Sequence, residues 1–148
     1  MYRTKYFKLH ELVSKSDYDS LGEKCWDLLD ERALRTLDAL REDLGRPITI
    51  NTWKTNGQFS WRGYRSRAYY KSDAEYIKSR SQHKFGRAFD FDVKGMSAED
   101  VRQYIYKNKS KFPHISFIEA DVNWVHFDTR NCQEITAWSP KTGMAVIK

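Results

Sequence analysis

The chain has 148 residues, 40% of them hydrophobic and 31% charged, a composition that excludes intrinsic disorder and predicts one folded domain over 1–148 with a single core. No apolar run approaches the ~20 residues of a transmembrane helix, so no membrane partner is expected. The net charge of +6 comes from Lys and Arg spread along the whole chain, which fits either a solvated surface or attraction to a polyanion, nucleic acid or an anionic cell wall.

Met1 to Leu21 reads as a polar lead-in. Its first part, Met1 to Lys15, is amphipathic and charged and lacks the apolar stretch of a secretory signal. Synthesis in the cytoplasm is therefore expected, with release by some other agent if the protein works outside. Cys25 and Cys132 lie far apart in no C-x-x-C pattern and are expected as free thiols. From Asp30 to Leu44 the spacing predicts a helix, with Leu34, Leu37, Leu40 and Leu44 on one face. Asp30 caps its start, and Gly45 followed by Pro47 ends it. Ile48 to Asn51 is a short β-type run.

Thr52 to Gln82 is irregular and mixes Trp53, Trp61, Tyr64, Tyr69, Tyr70 and Tyr76 with many Lys and Arg residues. Long loops in compact domains are often functional, and this one reads as an excursion that walls a groove, with a short helix near Ser72 to Lys78. Ala88 to Val93 alternates, with Phe89, Phe91 and Val93 on one side and Ala88, Asp90 and Asp92 on the other, as in a half-buried strand. Ser97 caps a further helix, with Asp100 three residues on, and Val101, Tyr104 and Ile105 form its inner face. Strands are expected over Ile115 to Glu119, Asn123 to Arg130, Glu134 to Trp138 and near Met144 to Ile147. In the second of these Val125, Phe127 and Thr129 point inward and Trp124, His126, Asp128 and Arg130 the other way. Helices followed by mostly antiparallel strands predict an α+β domain.

Asp90 and His126 both project from the polar faces of their strands, and if the strands are neighbours a carboxylate and an imidazole meet above the sheet. His83 lies seven residues before Asp90, and the intervening Gly86 lets the chain turn sharply enough to return it to the same point. Two His and one Asp are a common catalytic zinc set, leaving a fourth position for water. A bland reading of each residue taken alone, as a surface or hydrogen-bonded side chain, stands beside that one.

The stretch Ser81-Gln82-His83-Lys84-Phe85-Gly86-Arg87-Ala88-Phe89-Asp90 fits S-x-H-x-x-G-x-A-x-D and is followed downstream by Trp124-Val125-His126. From about Leu34 to Arg130 the chain resembles the zinc D-alanyl-D-alanine carboxypeptidases and their relatives. These include phage L-alanyl-D-glutamate endolysins, the vancomycin-resistance dipeptidases and the hedgehog signalling domain. The resemblance implies a small antiparallel sheet flanked by helices and carrying one zinc ion on His83, Asp90 and His126. It implies a peptidoglycan stem peptide as substrate and, with no apolar signal, a phage-type lysin that is released onto the wall or carried on a phage particle. Gly63-Tyr64-Arg65-Ser66 matches a Gly-Tyr-Arg-Ser stretch of the family, which implies that Arg65 binds the substrate carboxylate or the oxyanion; Arg62 is its competitor.

The vancomycin-resistance dipeptidases carry a Glu three residues before the last His, where this chain has Asn123, which cannot take a proton. Two nearby carboxylates remain, Glu119 and Asp121. The end of one hairpin strand lies beside the start of the next, which places Glu119 across from His126. The hedgehog domain resembles this layout, with a Glu ending the strand before its last ligand. Glu119 is the expected general base and Asp121, placed in the turn, the alternative. Asp128 either orients His126 or pairs with Arg130. Ser81 either bonds an active-site group or is a turn residue. Asp92 reads as a strand-end charge, and His10 and His114 as structural or exposed. A monomer is expected. Two other functions compete with the peptidase: a non-catalytic zinc-containing binding domain, and a nucleic-acid binder, which leaves the His/Asp/His pattern unexplained.

Overall fold

The computed structural model describes residues 1–131 and 134–148; Cys132 lies outside the described residues. Among the described residues four α-helices and six strands make an α+β fold: α1 (Lys15–Leu21), α2 (Glu31–Leu44), α3 (Asp73–Lys78) and α4 (Ala98–Lys107), with β1 (Ile48–Thr49), β2 (Ala88–Val93), β3 (Phe117–Glu119), β4 (Val125–Asp128), β5 (Thr136–Ser139) and β6 (Gly143–Val146). The strands form one sheet in the order β1-β2-β4-β3-β5-β6. Every pair is antiparallel except β3 with β5, so the sheet is mixed.

The helix ends follow local chemistry. The Asp30 carboxylate accepts from the Arg32 and Ala33 amides, and Gly45 ends α2 at φ 63°. Ser97 accepts from the Asp100 amide at the start of α4. One sheet face is apolar. Phe89, Phe91, Ile118, Val125 and Phe127 are buried there and join Leu34, Leu37 and Leu40 of α2 and Val101 and Ile105 of α4 in a single core. The opposite face carries Asp90, His126 and Glu119.

The N-terminal stretch departs from the reading of a polar lead-in. Phe7, Leu9, Leu12 and Val13 are buried core residues, and 15–21 is helical. The segment is fixed by bonds to distant partners: the Asn51 amide donates to Glu11 O (3.1 Å), the Tyr64 amide to Leu12 O (3.0 Å), and Asn51 Nδ2 and Trp53 Nε1 both to Val13 O (2.9 Å each). Leu9, Leu12 and Val13 fall at helical spacing and Phe7 and Leu9 at strand spacing, yet 7–13 forms neither an α-helix nor a strand, so a pattern this short does not by itself reveal the burial.

Candidate metal centre

Register brings the strand residues of the site together. Asp90 pairs with His126 across β2 and β4, and His126 pairs with Glu119 across β4 and β3. Directly paired residues share a face, so the three side chains stand in one row. His83 arrives from outside the sheet, in a short 3-10 turn (Gln82–Phe85) that ends at Gly86, φ 67°. A Cβ on Gly86 would lie 2.0 Å from Leu28 O. Both the backbone angle and the close approach therefore require glycine.

His83, Asp90 and His126 are all buried, and one ligand atom from each lies within 4.8 Å of the others. His83 Nε2 is 3.3 Å from Asp90 Oδ2, and His126 Nδ1 is 2.7 Å from Asp90 Oδ1. The far nitrogen of each ring is held from behind. His83 Nδ1 faces Gly63 O at 2.8 Å, and His126 Nε2 faces Asp128 Oδ2 at 3.1 Å. Acceptors there place the ring N–H on the far nitrogen and leave the near one to a metal. Two imidazole nitrogens and a carboxylate oxygen converging in this way are a donor set that would hold a divalent ion such as zinc.

Charge is tightly coupled in the cluster. Burial alone would raise the Asp90 pKa, but hydrogen bonds from His126 and His83 hold it well below the usual carboxylate range. Burial pushes His83 down against the opposing pull of Asp90. Burial also acts to lower His126, yet Asp128 and Asp90 on its two nitrogens lift it to about 9. His126 would have to give up its Nδ1 proton to hold a metal there.

Glu119 is half-buried, with Oε2 4.0 Å from His126 Nδ1. Burial raises its pKa, His126 opposes that and Asp90 adds to it. Asp121 sits in the turn at φ 58° and accepts a hydrogen bond from the Ser139 hydroxyl, so the structure does not bring it to the cluster. Asn123 is exposed and lines a cavity with Asp92, Met96 and Arg102.

Of the two arginines, Arg65 reaches the cluster. Its Nη2 donates to Asp90 Oδ2 (3.1 Å), its Nε to Trp61 O (2.8 Å), and its guanidinium stacks 4.7 Å from the Tyr69 ring. Arg62 instead pairs with Asp92 at 2.7 Å and stacks on Phe59. Asp128 does both things weighed for it: it holds His126 and takes Arg130 through two bonds, 2.8 and 2.6 Å, which keep its carboxyl below the usual range despite burial. Ser81 opens the turn that carries His83, its carbonyl accepting from the Lys84 amide at 3.1 Å. His10 stacks edge-on with Tyr18 and Trp53, and His114 is exposed.

Two supporting residues escape a reading of the sequence. The Gly63 carbonyl anchors His83, and a Cβ on Gly63 would lie 2.0 Å from Leu12 O; the glycine in Gly63-Tyr64-Arg65-Ser66 is the available signal. Arg102, buried on α4, donates to Val122 O and Trp124 O at 3.1 Å each and holds the turn between Glu119 and His126. An arginine in an amphipathic helix gives no sign of that.

A family model described as Peptidase M15 matches residues 5–128. Neither the curated proteins nor the solved structures contain a match to this chain.

Proposed function

The chain belongs to the peptidase M15 family of zinc-dependent peptidases, and on that premise we propose that it hydrolyses an amide bond in a peptidoglycan stem peptide, with His83, Asp90 and His126 as the zinc ligands. The observation that supports this most is the cluster itself: three buried ligands, both imidazoles anchored from behind, and a half-buried Glu119 at its edge. Zinc, when bound there, supplies Lewis acidity and lowers the pKa of a water.

The remaining roles fall to side chains. Glu119 accepts a proton from the attacking water and returns it to the leaving amine. Burial favours that use, since a raised pKa brings the carboxylate nearer to a working base at neutral pH. Arg65 has further N–H donors beyond those on Trp61 O and Asp90, and these face charge developing on the substrate oxygen. Asp121, bonded to Ser139, is left out of the proton path. The basic surface suits an anionic wall, and a lysin released onto that wall, or carried there on a phage particle, is the role this reading favours. Among the described residues no helix is long and apolar enough to cross a membrane.

The experiment is mass spectrometry of fragments released from purified peptidoglycan, with and without a chelator. Chelator-sensitive release of stem-peptide fragments is expected. Zinc-loaded protein that releases nothing would replace the peptidase with a zinc-containing binding domain, the reading that Asn123 in place of a Glu supports.

A further inference from the structure

The row that contains the metal cluster does not stop at Glu119. Glu119 pairs with Trp138 across β3 and β5, and Trp138 pairs with Met144 across β5 and β6. One step along the strands, Phe117 pairs with Thr136, and Thr136 with Val146. Paired residues share a face, so Trp138, Met144 and Val146 stand on the same side of the sheet as Asp90, His126 and Glu119. Burial alternates accordingly in β5, where Ala137 is buried and Trp138 is 38% exposed; in the edge strand β6, Met144 (62%) and Val146 (49%) are exposed, as is Ala145 on the other face. At about 4.8 Å per strand, Trp138 stands roughly 10 Å from His126 along the row. This hairpin lies beyond the 5–128 span shared with the family model.

We propose that Trp138, Met144 and Val146 form a substrate shelf that receives an aliphatic portion of the peptide about three residues from the scissile amide. The proposal rests on the peptidase reading and names a further part of the same site. An extended peptide advances ~3.3 Å per residue, so a chain laid across the strands from the cluster reaches Trp138 in three. Continuity with the cluster is what selects the substrate as occupant. A sugar ring also stacks on Trp, but the most exposed side chains on this face, Met144 and Val146, offer its hydroxyls no partner, and the polar neighbours of Trp138 there, Glu119 and Thr136, are only partly exposed. Exposed apolar groups gathered next to a site are a recognised mark of binding.

The test uses zinc-loaded full-length protein, its oligomeric state read by analytical ultracentrifugation, and three probes: a synthetic stem dipeptide, a stem pentapeptide and a sugar-bearing muropeptide. Binding is followed by calorimetry and hydrolysis by mass spectrometry. Trp138→Ala is expected to weaken pentapeptide binding and raise its KM roughly tenfold, the scale on which one apolar contact discriminates. The loss on the pentapeptide should exceed that on the dipeptide severalfold, Trp138→Phe should restore most of it, and Met144→Ala should show a smaller loss of the same kind. An equal loss on dipeptide and pentapeptide makes Trp138 a mere support for the Glu119 strand and overturns the shelf, as does no loss on either. A loss seen only with a sugar-bearing muropeptide assigns the face to glycan and overturns the peptide occupant. A wild-type dimer that Trp138→Ala dissociates assigns it to a second copy of the chain. Wild type that binds the pentapeptide through Trp138 without cleaving it sinks the peptidase reading and leaves the shelf standing. Wild type that neither binds nor cleaves sinks both.

Discussion

His126 and His83 reach the same point by different means. His126 sits inside the sheet, between β2 and β3, where ladder register fixes its height and pleat fixes its face. Its rear anchor, Asp128, lies two residues away on the same strand. His83 sits outside the sheet in a 3-10 turn, and its position depends on three segments far apart in sequence. Leu12 O crowds Gly63, the Gly63 carbonyl holds the imidazole, and Leu28 O crowds Gly86. A ligand on a strand is positioned by regular backbone; a ligand on a loop is positioned by contacts that only small residues permit.

The largest effect is expected where the two sides meet. His126→Ala should lose most of the zinc and with it nearly all hydrolysis, while His114→Ala, exposed and away from the cluster, should keep one zinc per chain by metal analysis. Equal retention in the two variants would break the comparison at its root. Next comes Glu119→Gln, with zinc kept and turnover down by about 10²–10⁴, the usual worth of a general base. Normal hydrolysis by Glu119→Gln together with its loss in Asp121→Asn would move the role to Asp121. Arg65→Ala should lower turnover by roughly 10²–10³ with the metal in place. If Arg62→Ala has that effect instead, the ion pair of Arg62 with Asp92 matters more to the site than its geometry indicates.

The anchors give the sharper contrast. Gly63→Ala and Asp128→Asn should each weaken zinc binding by roughly 10–100-fold, since each disturbs the partner behind one imidazole. Thermal melting should separate them. Gly63→Ala also forces a methyl against the Leu12 carbonyl and should destabilise the fold by about 1–3 kcal/mol. Asp128→Asn keeps its volume, and its loss of stability comes instead from the charge-assisted bonds to Arg130 and His126, so that loss should shrink as pH falls toward the lowered Asp128 pKa while the Gly63→Ala clash does not change. If Gly63→Ala melts like wild type, the N-terminal brace is not what positions His83.

The smallest expected effect concerns pH. Burial raises the Glu119 pKa, so the fold prefers its neutral form. That preference is intact below the unfolded value near pH 4.3 and is lost as pH rises through the raised folded value. In chelator-treated protein Glu119→Gln should therefore melt above wild type at neutral pH, with the gap closing under mild acid. A gap that is constant with pH would mean that Glu119 carries no burial penalty.

Several features were settled locally. The caps of α2 and α4 and the alternation of β2 and β4 are chemistry of neighbouring residues, so spacing alone located them and placed Asp90 and His126 on polar faces. The motif around His83, together with Trp124-Val125-His126, pointed to the same three residues that the fold gathers into a group able to hold a metal. What the sequence could not decide, or only favoured, as with Arg65 over Arg62 and Glu119 over Asp121, depended on contacts between distant segments. Phe7, Leu9, Leu12 and Val13 are buried in a segment that Glu11, Leu12 and Val13 tie to Asn51, Trp53 and Tyr64, contacts that no local pattern in 1–21 shows. The choice of Arg65 over Arg62 for proximity to Asp90 turned on which guanidinium Asp92 captures. The separation of Glu119 from Asp121 turned on a hydroxyl of β5 that holds Asp121 away. Spacing predicts which face a side chain takes, but which of two like side chains reaches a site is set by competing partners, and those are brought near only when the chain is folded.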